Sequence, residues 1–102
     1  MTDSDIRDNT EAHRYELSVG KDLAVVIYNL SGPNLMITET LVPEALEGQG
    51  IASRLARHVL EDARSRGLLI LPVCPFFAAY LQKHPEHADV VHPTYRQILG
   101  LA

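Results

Sequence analysis

Polar and apolar residues alternate from Arg14 to Val19, with Tyr15, Leu17 and Val19 apolar and Arg14, Glu16 and Ser18 polar. A period of two predicts a strand with one face buried. Gly20-Lys21-Asp22 breaks the pattern as a turn, and Leu23 to Leu30, rich in β-branched residues, predicts a more buried strand. Ser31-Gly32-Pro33-Asn34 reads as a second turn. Leu35 to Val42 continues the sheet until Pro43 removes a donor and stops it. Short turns make these three strands an antiparallel meander. Residues 1–12 are polar and charged and read as a frayed or disordered lead-in, leaving 13–102 as one domain.

The period then changes. Ile51, Leu55, Val59 and Ala63 recur every four residues, with Ala52, Ala56 and Leu60 beside them, while Arg54, Arg57, Glu61, Arg64 and Arg66 fall mostly elsewhere. This predicts an amphipathic helix over 51–66 with one buried face, ended by Gly67 where a left-handed residue is wanted. Leu68 to Val73 is wholly apolar and predicts a short buried strand. Reached through a helical crossover, it should lie parallel to the strand before the helix. Phe76 to His84 reads as a second helix stopped by Pro85, and His92 to Ala102 adds at most a turn around Tyr95 to Leu99. The fold class is mixed α/β.

Composition narrows the function only by exclusion. The net charge of −4 gives no electrostatic footprint for nucleic acid or an anionic membrane. No apolar run approaches the ~20 residues that span a bilayer. The polar start Met1-Thr2-Asp3-Ser4-Asp5 is unlike a signal peptide, and one cysteine allows no internal disulfide, so a cytoplasmic protein is expected.

The chemistry concentrates at Glu47-Gly48-Gln49-Gly50-Ile51-Ala52, between the third strand and the long helix. Two closely spaced glycines let the backbone turn sharply and approach a ligand with no Cβ in the way. The helix that follows aims unpaired N–H groups and the positive end of its dipole at the turn. This is a site for a phosphate or pyrophosphate, or else a plain helix-entry turn. Arg54 and Arg57, in the first turns of the helix, reach such a phosphate or are simply solvated.

A second block shares the chain with this turn. Val42-Pro43 precedes Glu47 to Ile51, and Cys74-Pro75-Phe76, Ala78-Ala79-Tyr80 and His84-Pro85 follow. Together these motifs resemble the GNAT superfamily of N-acetyltransferases, and within it the minimal, single-domain branch of about a hundred residues. The resemblance covers roughly residues 13–91. In that superfamily a Gln/Arg-x-x-Gly-x-Gly/Ala loop binds the pyrophosphate of coenzyme A. Here Glu47, Gly50 and Ala52 match it, with Glu47 where Gln or Arg usually stands. The branch often carries a histidine three residues before its Val-Pro; that position is Glu39, either a base or a surface residue.

The resemblance implies acetyl transfer from acetyl-coenzyme A to a primary amine, with no metal. Gly48, Gln49 and Ile51 would join Glu47, Gly50, Ala52 and Arg54 in binding the coenzyme, and Leu41 and Val42 would supply a backbone donor to the oxyanion. A tyrosine in the region of Tyr80 can protonate the departing thiolate, or merely pack its ring. Cys74 is either a small buried hydrophobe or an acetyl acceptor activated at the N-terminus of the next helix. Direct attack by the amine and a route through acetyl-Cys74 are both open. The acceptor is a small molecule or a protein amine, and neither nucleic acid nor membrane is expected as a partner. A non-catalytic coenzyme sensor is the competing class, because the chain lacks the extra elements that larger acetyltransferases use to build an acceptor pocket. His84, His87 and His92, spaced across Pro85 and Pro93, form no zinc pattern and read as a solvated tail.

Overall fold

The alternation at the start of the domain becomes strand β2 (Arg14–Val19) in the computed structural model, which describes residues 5–101. It pairs with β3 (Asp22–Ser31), which pairs with β4 (Asn34–Leu41), all antiparallel. Helix α1 (Ile51–Arg66) then leads to β5 (Leu69–Pro72), which lies parallel to β4 in the register Asn34↔Leu69 to Ile37↔Pro72. Helices α2 (Pro75–Lys83) and α3 (Pro93–Leu99) follow, and short 3-10 turns cover Glu44–Leu46 and Pro85–Val90. The expected mixed sheet, with an antiparallel meander and a parallel strand after the helix, is what forms.

Even-numbered residues of β3 (Ala24, Val26, Tyr28) and the odd-numbered Tyr15 and Leu17 of β2 share one face of the sheet and are buried. Against that face α1 lays Ile51, Leu55 and Val59, with Ala56, Leu60 and Ala63 beside them. Truncating a fully buried leucine such as Leu55 to alanine should cost about 2–5 kcal/mol, since it removes transfer energy and leaves a cavity. Gly67 closes the helix at φ 70°, its N–H bonded back to Ala63 and Arg64 carbonyls.

Two expectations need correction. Ile6–Asn9 is not frayed: it forms an edge strand, β1, antiparallel to β2, so among the described residues the sheet has five strands in the order β1-β2-β3-β4-β5. Residues 1–4 lie outside the described residues. Polar side chains hold β1 in place. Tyr28 donates to Asp8 at 2.6 Å and Tyr15 to Asp62 of α1 at 2.6 Å, while Arg66 donates to both carboxylates at 3.2 and 2.9 Å. Burial, then the adjacent carboxylates, pushes both phenols above their ordinary pKa. The tail is not solvated either. Val91 bridges to Ile70 of β5, Val90 and Val91 are buried, and Tyr95 and Leu99 pack on the core.

On the opposite face Glu16 is buried yet charged. It accepts hydrogen bonds from Arg14 at 2.6 Å, from Asn9 at 3.0 Å and from Arg7 at 3.0 Å. Those donors hold its carboxyl down at about 2, against an ordinary 4.5. A depressed acid contributes stability above its unfolded pKa and loses it as pH falls through its folded one. The contribution of Glu16 should therefore be complete above about pH 4.5 and disappear toward about pH 2. Denaturant unfolding of the wild type and Glu16→Gln across that window checks it. The two stabilities should converge as pH falls; curves that stay parallel would refute the assignment.

Candidate active site

Where β4 ends, Pro43 and the turn Glu44–Leu46 carry the chain away from the sheet, and buried Leu46 anchors it. Gly48 at φ 83° and Gly50 at φ 73° then occupy the left-handed region that L side chains avoid. A Cβ built on either glycine meets no protein atom within 4 Å, so the backbone is open to approach. The first bond of α1 runs from the Arg54 N–H to the Gly50 carbonyl, 3.0 Å. The N–H groups of Ile51, Ala52 and Ser53 precede that bond and have no intrahelical acceptor. Among the described residues no side chain caps this end and no acid lies in the first turn. The residues that carry these groups line a cavity of about 270 Å³ together with Val42, Leu46, Glu47, Gly48 and Gly50. A backbone cradle at the positive end of a four-turn helix suits an anion with several oxygens.

Six of the expected residues thus meet in one place: Val42, Glu47, Gly48, Gly50, Ile51 and Ala52. Gln49 turns aside and donates to the Ala45 carbonyl at 3.4 Å. Leu41 ends β4, 48% exposed, paired with Val25. Arg54 pairs with Asp5 at 3.3 Å, an exposed contact of the kind a phosphate can replace. Leu46 and Ser53 escaped the sequence reading. Counting the orphan N–H groups of a helix starting at Ile51 would have found Ser53.

The second part of the site is an opening in the sheet. The β4–β5 ladder stops at Ile37↔Pro72, and the Cys74 N–H donates to the Ile37 carbonyl at 2.9 Å as the last bond across it. Beyond this point β4 pairs only with β3. It also carries a bulge: Ile27 opposes Glu39 while Tyr28 opposes Ile37, so Thr38 is the extra residue. A bulge reverses which side chains face which way. Thr40 is thereby set opposite fully buried Val26, on the helix-covered face, and Glu39 opposite Ile27 on the other. Glu39 is exposed and has no ion pair among the described residues. Thr38 donates to the Ile27 carbonyl at 3.1 Å.

Cys74 caps α2 with extended backbone, and its side chain is buried. Its Sγ lies 3.4 Å from Oγ1 of Thr40, a contact across the opening. Tyr80 sits elsewhere on the same helix. It lies six residues beyond the extended cap, within the helix proper. The Tyr80 ring packs 4.3 Å from His84 and 6.1 Å from Phe76, between centroids, with Arg57 and Glu61 of α1 among its charged neighbours. Burial raises the pKa of its hydroxyl, which Arg57 partly offsets. His84 also faces Glu86 at 3.5 Å, and His92 accepts from the Thr94 N–H as the cap of α3. Among the described residues no three His, Cys, Asp or Glu side chains gather as a metal group. None of the described helices is long and apolar enough to cross a membrane.

Comparison with known proteins fits this geometry. No curated protein matches the chain. Among solved structures, the solution structure of a GCN5-like protein from Staphylococcus aureus aligns at a TM-score of 0.69 and 26% identity, covering 90% of this chain and 91% of that one. The sequence model of the GCN5-related N-acetyl-transferases matches residues 14–90, which include the glycine turn, the opening between β4 and β5, and Cys74. The chain belongs to the family of GCN5-related N-acetyltransferases, which are enzymes.

Proposed function

We propose that the protein transfers the acetyl group of acetyl-coenzyme A to a primary amine, and that the coenzyme pyrophosphate binds at the N-terminus of α1. The observation that carries this reading is the set of three N–H groups without a helical acceptor, on Ile51, Ala52 and Ser53, residues that line a cavity with Gly48 and Gly50. Charge-assisted bonds from a preformed backbone cradle recognise pyrophosphate without positively charged side chains. Val42 lines the same cavity and lies just past the last β4 pair, Val25↔Leu41. An extended pantetheine arm passing Val42 enters the opening between β4 and β5 and delivers its thioester toward Cys74.

Within that frame Cys74 is the acetyl acceptor and Val42 the nearest backbone donor for the developing oxyanion. Direct attack by the amine, with Tyr80 as the acid that protonates the coenzyme thiolate, is the alternative. Mass spectrometry after incubation with acetyl-coenzyme A tests the proposal. One added acetyl group on the protein, discharged when a panel of amines is supplied, is the expected result. Coenzyme binding with neither acetylated protein nor acetylated amine would make the protein a binding module instead.

Glu47 offers a second handle. Glu47 is exposed and lines the cavity, at the position where the superfamily has a neutral or positive side chain. A negative charge near a pyrophosphate is unfavourable, so Glu47→Gln should tighten coenzyme A about three- to tenfold at low ionic strength and less in salt. Calorimetry at two salt concentrations measures it. Weaker binding by the Gln variant would count against placing the pyrophosphate here.

A further inference from the structure

The sulfur of Cys74 and the hydroxyl of Thr40 come from different elements, α2 and β4, and meet where the sheet has opened. Thr40 reaches that place only because of the bulge. With regular alternation from Ile37, residue 40 would project to the opposite face; the extra residue at Thr38 turns it toward Cys74. Threonine is also stiff at χ1, so its hydroxyl is held in position and loses little freedom in making the contact.

We infer that Thr40 is a positioning residue that aims and charge-stabilises the Cys74 thiol, an inference resting on the cysteine route proposed above. While the thiol is neutral, either atom can donate. Once the sulfur has given its proton to water it can only accept, and the Thr40 O–H becomes the donor in a charge-assisted bond. The transfer uses that sulfur twice. First it bonds to the acetyl carbonyl carbon, the carbon's bond to the coenzyme sulfur breaks, and the coenzyme thiolate leaves and takes a proton from water. Then the amine nitrogen bonds to the same carbon, Cys74 leaves as thiolate, and water takes the proton from the ammonium. In both steps the charge that appears or disappears on Cys74 faces Thr40.

The test uses the intact chain and needs no coenzyme. Cys74 is the single cysteine, so alkylation by iodoacetamide reads this thiol alone. Thr40→Val keeps the branched shape and removes the hydroxyl; its alkylation should slow about tenfold or more, the size of one hydrogen bond to a charged group. Thr40→Ser restores the hydroxyl and should return close to the wild-type rate. In turnover, Thr40→Val should lower kcat with little change in KM for acetyl-coenzyme A. Alkylation of Thr40→Val at the wild-type rate or faster would overturn the inference, and so would a Thr40→Ser variant as slow as the valine one. Because alkylation reads the hydroxyl–thiol contact without any acetyl transfer, its outcome is separable from that of the mass-spectrometric test of the function.

Discussion

Gly50→Val should lose coenzyme A binding by more than a hundredfold while keeping the fold. Two effects combine. At φ 73° a β-branched side chain is strained, by about 1–2 kcal/mol, so the turn shifts away from its native shape. The new side chain would also project into open space, where the proposed pyrophosphate would lie. Losing two of the charge-assisted bonds from Ile51, Ala52 and Ser53 removes about 3–6 kcal/mol, which is roughly two to four orders of magnitude in affinity. Gly50→Asn separates the causes, because asparagine tolerates the left-handed region. It should melt closer to the wild type than valine does and still bind poorly. Wild-type affinity in either variant by calorimetry would remove the pyrophosphate from this turn.

Cys74→Ala should abolish the acetylated protein and lower turnover by about three orders of magnitude, roughly 4 kcal/mol of transition-state stabilisation. The buried thiol lies 3.4 Å from Thr40, just past the last bond between β4 and the chain after β5, where the proposed route brings the thioester. Ping-pong kinetics should accompany the cysteine route. Tyr80→Phe is the companion variant. Its ring packs among His84, Phe76 and His87, so on the cysteine route it should lose far less activity than Cys74→Ala. The reverse ranking, with Cys74→Ala near full activity and Tyr80→Phe impaired, would establish direct attack with the tyrosine as acid.

What could be read from the residues depended on whether apolar pattern was the cause of the structure. The stripe Ile51, Leu55, Val59 and the apolar Leu69–Pro72 run are caused by burial, and both elements formed where the periodicity put them. Strand β1 has only Ile6 to bury. Its pairing is secured by Arg7 and Asn9 on Glu16 and by Asp8 on Tyr28, long-range polar contacts that no periodicity announces. The docked tail was missed for a similar reason. Val90 and Val91 look like isolated residues between prolines, and only the bridge to Ile70 makes them part of the core. At the site, the glycine turn was legible because left-handed backbone and orphan N–H groups are local properties. The Thr40–Cys74 contact was not. It hangs on one extra residue in β4, and register is a property of two strands together.

Whether the backbone at the start of α1 holds a coenzyme pyrophosphate is read by an NMR titration of the labelled protein with coenzyme A, with inorganic pyrophosphate in a parallel series. Large, saturable downfield shifts of the Ile51, Ala52 and Ser53 amides are expected in both titrations, with the Val42 amide responding to coenzyme A alone. Saturable binding of coenzyme A that leaves those three amides unmoved would contradict that placement of the pyrophosphate.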